Sequence, residues 1–200
     1  MKIFAALALP VLFASPCLAQ TQLVRGDVDG IQNTNRWRLE CTSIELVSRT
    51  VDLKVLHDAS RQQDIEYEMQ VSVVSLSPPV LDVVSAKQIP QIFDMGNIRL
   101  GRADRWHVLG NQGEIAVVYL TGDGMTAYQP LGSLGTWLLS PGFFFNAGVV
   151  SAQGRFEFNV QPPNDPRLVG LTFVGQAAVV APSTGRVLIA NAQCKQVRAN

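Results

Sequence analysis

The stretch 64–73 reads Asp-Ile-Glu-Tyr-Glu-Met-Gln-Val-Ser-Val, and no other feature constrains the fold as strongly. Ile65, Tyr67, Met69, Val71 and Val73 fall on one side of a period of two, and Glu66, Glu68, Gln70 and Ser72 on the other. A period of two is the signature of a strand with one face in the core and one in water. On this reading Glu66 and Glu68 stand in solvent. Pro78 and Pro79 close the strand, and 80–84 predicts another. Beyond residue 92 the same texture repeats, with strands expected at 105–109, 114–121, 136–139, 143–149, 155–160, 171–180 and 187–190. Gly110 to Gly113 and Ser151 to Gly154 have the composition of hairpin turns. No segment of this half carries an apolar 3.6-residue period, and parallel α/β crossovers need helices. The chain is therefore expected to be all-β, with one short helix at 51–59.

Glycine divides the chain. Of 16 glycines, only Gly26 and Gly30 precede Gly96. The change in texture places a boundary near Pro90. It predicts a small β unit over 20–88, in the form of an OB-like barrel or a related sheet, packed on an antiparallel β-sandwich over 89–200. The run Phe143-Phe144-Phe145 sends side chains to both faces of its strand, so cover from the N-terminal unit is expected.

Residues 1–19 have the layout of a secretory signal peptide: Lys2, an apolar run, a break at Ser15-Pro16, and small residues at 17 and 19 before Gln20. Removal of this segment takes Cys17 and leaves Cys41 and Cys194. An exported chain with two cysteines reads as disulfide-bonded. No later run has 18 consecutive apolar residues, so no transmembrane segment is expected in the mature chain. Secretion or a periplasmic location follows.

Charge and motifs mainly exclude. Lys+Arg and Asp+Glu both number 16, and this balance argues against a nucleic-acid partner held by a basic face. His57-Asp58-Ala59-Ser60 contains the letters of a hydrolytic triad, but a triad needs residues converging in space. Gly132-Ser133-Leu134-Gly135 lacks the nucleophile-elbow spacing. Asp27-Val28-Asp29-Gly30 resembles the start of a calcium loop, yet the sixth and twelfth positions hold Gln32 and Arg38 where that loop needs Gly and Glu. A polar turn is expected there, with Asp27 and Asp29 a weak calcium candidate. No catalytic residue, other metal site or cofactor is implied. Trp37, Trp106, Tyr128, Trp137 and Phe144 form a candidate aromatic binding patch, with core packing as the alternative.

The C-terminal half carries a Gly-led strand at Gly154-Arg155-Phe156-Glu157-Phe158. It continues with Pro163-Asn164-Asp165-Pro166, then Leu168-Val169-Gly170-Leu171, Gln176-Ala177, and an Asn in Ile189-Ala190-Asn191-Ala192. This pattern resembles a biochemically uncharacterised β-sandwich module near the C-terminus of secreted proteins of environmental bacteria. The resemblance implies fold and export and carries no catalytic residues. The expected function is that of an exported, non-enzymatic structural or binding protein with a protein or glycan partner. The alternative is a secreted hydrolase of envelope sugars or peptides. A cleft joining a histidine, or two carboxylates from distant strands, would favour the hydrolase.

Overall fold

A computed structural model describes residues 21–61, 65–122 and 126–199. The segment 1–19, expected as a signal peptide, lies outside them. The architecture is all-β, with one α-helix among the described residues.

The N-terminal sheet contains β1 (Gln22–Gly26), β2 (Val28–Gly30), β3 (Trp37–Leu39), β4 (Glu45–Val47), β5 (Ile65–Leu76) and β6 (Pro79–Pro90). Its strand order is β1-β5-β6-β4-β3-β2. β4 and β6 run parallel, and the remaining neighbours are antiparallel. β1 and β2 are opposite edges of this sheet, yet only Asp27 separates them along the chain. The sheet must curl until its edges approach, and β1 and β2 act as one bent strand. Gly26 makes the bend, with φ at +151°. A β-carbon there would stand 3.0 Å from Leu39 Cδ1. Helix α1 (Leu53–Ser60) connects β4 to β5. With the parallel β4–β6 pair, this connectivity is that of an OB-type barrel.

The helix forms where the sequence suggests it. Asp52 caps its start by accepting from the Lys54 amide at 3.0 Å, and Lys54 pairs with Asp58 one turn on at 2.5 Å. Leu53 enters the core. Val24, Leu39, Leu46, Met69, Val71 and Leu81 fill the barrel.

The C-terminal unit is a sandwich. One sheet has the order β13-β10-β15-β16-β8, from β8 (Ile98–Arg99), β10 (Ile115–Gly122), β13 (Phe143–Val149), β15 (Thr172–Ala181) and β16 (Arg186–Arg198). The other is β14-β9-β7, from β7 (Phe93–Asp94), β9 (Asp104–Leu109) and β14 (Arg155–Val160). Phe93, Trp106, Val108, Val118, Ala177 and Val179 lie between them. β11 (Thr126–Pro130) and β12 (Thr136–Leu139) form a separate ribbon.

Several expectations are corrected. The sandwich is not wholly antiparallel, because β8 joins β16 in parallel. The turns at Gly110–Gly113 and Ser151–Gly154 do not close hairpins: β9 and β10 lie in different sheets, as do β13 and β14. Turn chemistry is local and does not choose a sheet. The final strand continues to Arg198, so Cys194 lies inside it. Leu171, counted in the strand expected at 171–180, precedes β15 and is 47% exposed. Phe143 and Phe144 receive no cover from the barrel and are 51% and 60% exposed, whereas Phe145 packs in the sandwich core.

The barrel covers the outer face of the long sandwich strands. Val174, Ala192, Leu138 and Leu139 belong to the barrel's apolar cluster. Gln176 is fully buried at this junction, accepting from the Leu138 amide and donating to the Thr136 and Ala190 carbonyls, each at 2.9 Å. Arg25 of β1 pairs with Glu68 at 2.7 Å and donates to the Ile189 carbonyl at 2.8 Å. Position 88/89 falls inside β6, and the barrel sheet ends with that strand at Pro90.

Candidate functional site

Glu66 is the most unexpected residue of the fold. It belongs to the polar set of the alternating strand, yet it is 1% exposed. Alternation identifies two faces but not what covers the second. Here β16 lies over it. Gln193 donates from Nε2 to Glu66 Oε1 at 3.4 Å, while Glu66 Oε2 is buried without a hydrogen-bond partner. Glu68, also expected in solvent, is 31% exposed and held by Arg25.

The disulfide fixes this arrangement. Cys41 and Cys194 are bonded, with α-carbons 5.4 Å apart across 153 positions. The bond ties the chain after β3 to β16. Their neighbours follow, Glu40 beside the field of Lys195 and Glu66 against Gln193. Cys41 has a positive φ of 61°, which makes the sharp turn after β3.

Three carboxyls gather where barrel and sandwich meet. Asp27 sits at the bend between β1 and β2, Glu40 follows β3, and Glu66 lies on β5. Asp27 Oδ1 is also buried without a partner. Burial, then the charge of Glu40, pushes Asp27 up to about 7. Burial, then the charges of Asp27 and Glu40, pushes Glu66 up to about 10, with hydrogen bonding by Gln193 and by the Ile92 backbone opposing. Glu40 is raised by burial and then by Asp29, against the pull of Lys195, Arg38 and His57. A carboxyl out of water resists ionisation, and a second negative charge nearby compounds the effect.

Asp27 and Glu40 line an open pocket of about 900 Å³, with Asp29, Arg38, His57 and Ser60 also on its wall. His57 comes from α1. Its Nδ1 lies 2.8 Å from the Val28 carbonyl, which makes Nδ1 the protonated nitrogen. Its ring packs on Trp37 with centroids 5.3 Å apart. Ser60 donates its hydroxyl to the His57 carbonyl at 3.1 Å, so it is not paired with the imidazole. Asp58, the remaining letter of the sequence triad, is taken by Lys54.

The weak calcium candidate does not form an ion-wrapping loop. Val28–Gly30 is a strand, and Arg38 holds Asp29 at 2.7 Å. Among the described residues no group of three or more His, Cys, Asp or Glu is spaced to hold a metal.

The aromatic candidates are dispersed. Trp106 is 1% exposed in the sandwich core, packed against Phe93, Phe145 and Phe158, and leaves the surface patch as a correction. Trp137 and Phe144 both meet Tyr119 edge-on, at 5.1 and 6.2 Å. Tyr128 packs on the barrel core, and its hydroxyl donates to Gln22. Trp37 lies behind the pocket with His57.

Sequence reasoning considered Asp27 and Glu66 separately, and His57 only as part of a triad. It did not single out Glu40. The available signal was the disulfide, because pairing Cys41 with Cys194 brings Glu40 and Gln193 to one place.

Comparison with family models, with curated proteins and with solved structures finds no match. No helix among the described residues is long and apolar enough to cross a membrane.

Proposed function

We propose that this chain is an exported, non-enzymatic binding protein of the bacterial envelope or extracellular space, and that its pocket holds a polar glycan segment. The observation that carries this reading is the pocket itself. A preformed concavity of about 900 Å³ mixes acidic residues with Arg38, His57 and Ser60. Its size is that of a small-ligand site. Its hydrogen-bonding groups of both kinds suit hydroxyls. Asp27, Asp29 and Glu40 on the wall repel phosphates, which argues against a nucleic acid on this barrel. The expected signal segment and the Cys41–Cys194 bond support export.

A second reading has one observation in its favour. The pocket joins a histidine with carboxylates from separate strands, as the hydrolase alternative requires. Against it, the Ser60 hydroxyl and His57 Nδ1 are both engaged with backbone carbonyls. No nucleophile–base pair forms in the pocket among the described residues.

A glycan array followed by amide chemical-shift mapping tests the proposal. Binding should shift the amides of 27–32 and of α1, with no new reducing ends. Shifts confined to other surfaces overturn the pocket assignment. Release of reducing ends that is lost in Asp27→Asn establishes the hydrolase instead.

A further inference from the structure

We propose that the sandwich holds a binding site of its own, an apolar cavity between its two sheets that takes a small, uncharged carbonyl compound onto the Trp106 indole. The cavity measures about 380 Å³, within the range of small-ligand sites, and shares no residue with the polar pocket of the barrel. Ile98, Leu120, Phe145, Val160, Leu168 and Phe173 form its walls, with side chains from both sheets. The loop after β14 brings Pro162 and Pro163 to one side of it. Gly101 holds that loop: its amide donates to the Pro162 carbonyl at 3.0 Å, and its carbonyl accepts from Gln161 Nε2 at 2.9 Å.

A single atom points to the ligand. Trp106 lines the cavity and is 1% exposed, yet its Nε1 is buried without a hydrogen-bond partner. A β-carbon on Gly96 would stand 3.2 Å from Trp106 Cδ1, the ring carbon bonded to Nε1. The pyrrole edge of the indole therefore turns toward the segment that leads to Ile98 on the cavity wall. An indole N–H donates and never accepts. Buried polar groups are nearly always matched, and an exception in a native fold calls for a partner. An ordered water makes about three hydrogen bonds, and the Phe93, Phe145 and Phe158 rings packed on the indole offer it no side-chain oxygen or nitrogen.

These facts set the ligand's chemistry. A hydrocarbon would cover the walls and leave Nε1 unmatched. A carboxylate would accept from Nε1, but no Lys or Arg lines the cavity, and an ion out of water without a counter-charge is costly. Arg167, the residue before Leu168, is held by Asp165 at 2.6 Å. What remains is an uncharged, mainly apolar body with one accepting oxygen, as in a ketone or an ester. Phe143 borders the cavity and is 51% exposed, so it offers the apolar end of such a molecule a surface to lie on.

Nitrogen-15 NMR of the indole groups in the mature chain tests this, with methyl pentyl ketone as probe and heptane and heptanoate as controls. The indole signals of Trp37, Trp106 and Trp137 are separate reporters, and Trp106→Phe assigns the one that matters. The ketone should move the Trp106 N–H proton downfield, as a new hydrogen bond does, and leave Trp37 in place. Heptanoate should bind at least about tenfold more weakly than the ketone, for want of a counter-charge. Trp106→Phe keeps an aromatic ring and should weaken the ketone about fivefold, the size of one hydrogen bond, with heptane unchanged within about twofold. Leu168→Trp fills the cavity from the loop side and should abolish ketone binding with Trp106 intact, so the test stands even if Trp106→Phe fails to fold in a thermal melt. An unmoved Trp106 signal at saturating ketone overturns the proposal, as does ketone binding that survives Leu168→Trp. Heptanoate binding as tightly as the ketone overturns the choice of an uncharged ligand. The barrel pocket is a different site, so none of these outcomes bears on the glycan reading.

Discussion

Cys41 and Cys194 are joined with their α-carbons 5.4 Å apart, and the bond sets Glu40 and Gln193 around Glu66. It therefore closes the protein and also shapes the pocket wall. Loop-closure entropy assigns so long a crosslink about 5 kcal/mol, and loss of a native disulfide typically costs about 2–5 kcal/mol. Cys41→Ser should lose that range in denaturant melts and should also weaken glycan binding. The unfolded, unreduced mature chain should show no reactive thiol. Two reactive thiols per chain would refute the bridge.

Arg25 holds the two units together. It is 7% exposed and reaches Glu68, the Leu134 carbonyl and the Ile189 carbonyl. Arg25→Met keeps the apolar stem and removes the guanidinium. Glu68 retains partial access to water, so the loss should be about 2–3 kcal/mol, below the figure for a fully buried pair. A change under about 0.5 kcal/mol in urea unfolding would show that apolar contact alone joins the units.

Gln176→Leu provides a neutral counterpart. Three hydrogen bonds to backbone groups disappear at a fully buried site, leaving the Leu138 amide and two carbonyls unmatched. Unmatched buried groups cost about 1–3 kcal/mol each, so a loss of several kcal/mol is expected. A variant as stable as the parent would contradict this view of the junction.

The pH dependence follows from the direction of the shifts. Asp27 and Glu66 both titrate above their ordinary values, so between about pH 4.5 and 7 the folded chain binds more protons than the unfolded chain. Their contribution to stability is fully present below the unfolded carboxyl range. It is lost as pH rises through about 7 for Asp27 and about 10 for Glu66. Glu66→Gln should flatten the alkaline side of the stability curve. A parent chain more stable at pH 9 than at pH 5, with the same slope in the variant, would reverse the sign.

Much of the fold was legible because strands and turns leave local marks. The spans 136–139, 143–149 and 155–160 match β12, β13 and β14. The short helix expected at 51–59 is present as α1. The two-residue strands β7 and β8 carry too few side chains for a period to show. β16 mixes Asn191, Gln193 and Lys195 with apolar residues because barrel and sandwich bury its two faces differently, so its alternation fades. The site was less legible for a related reason. Glu66 looks solvated when β5 is considered alone, and only the tertiary placement of β16 buries it. Asp27 looks like a turn residue until β1 and β2 prove to be opposite edges of one curled sheet.

The most direct measurement is a carbon-13 NMR titration of the side-chain carboxyls in the mature chain. The account of carboxyls buried together at the junction predicts that Asp27 titrates near 7, with Glu66 still protonated at that point. Asp27 and Glu66 both titrating near 4 would contradict it, because the carboxyls would then be solvated or already paired.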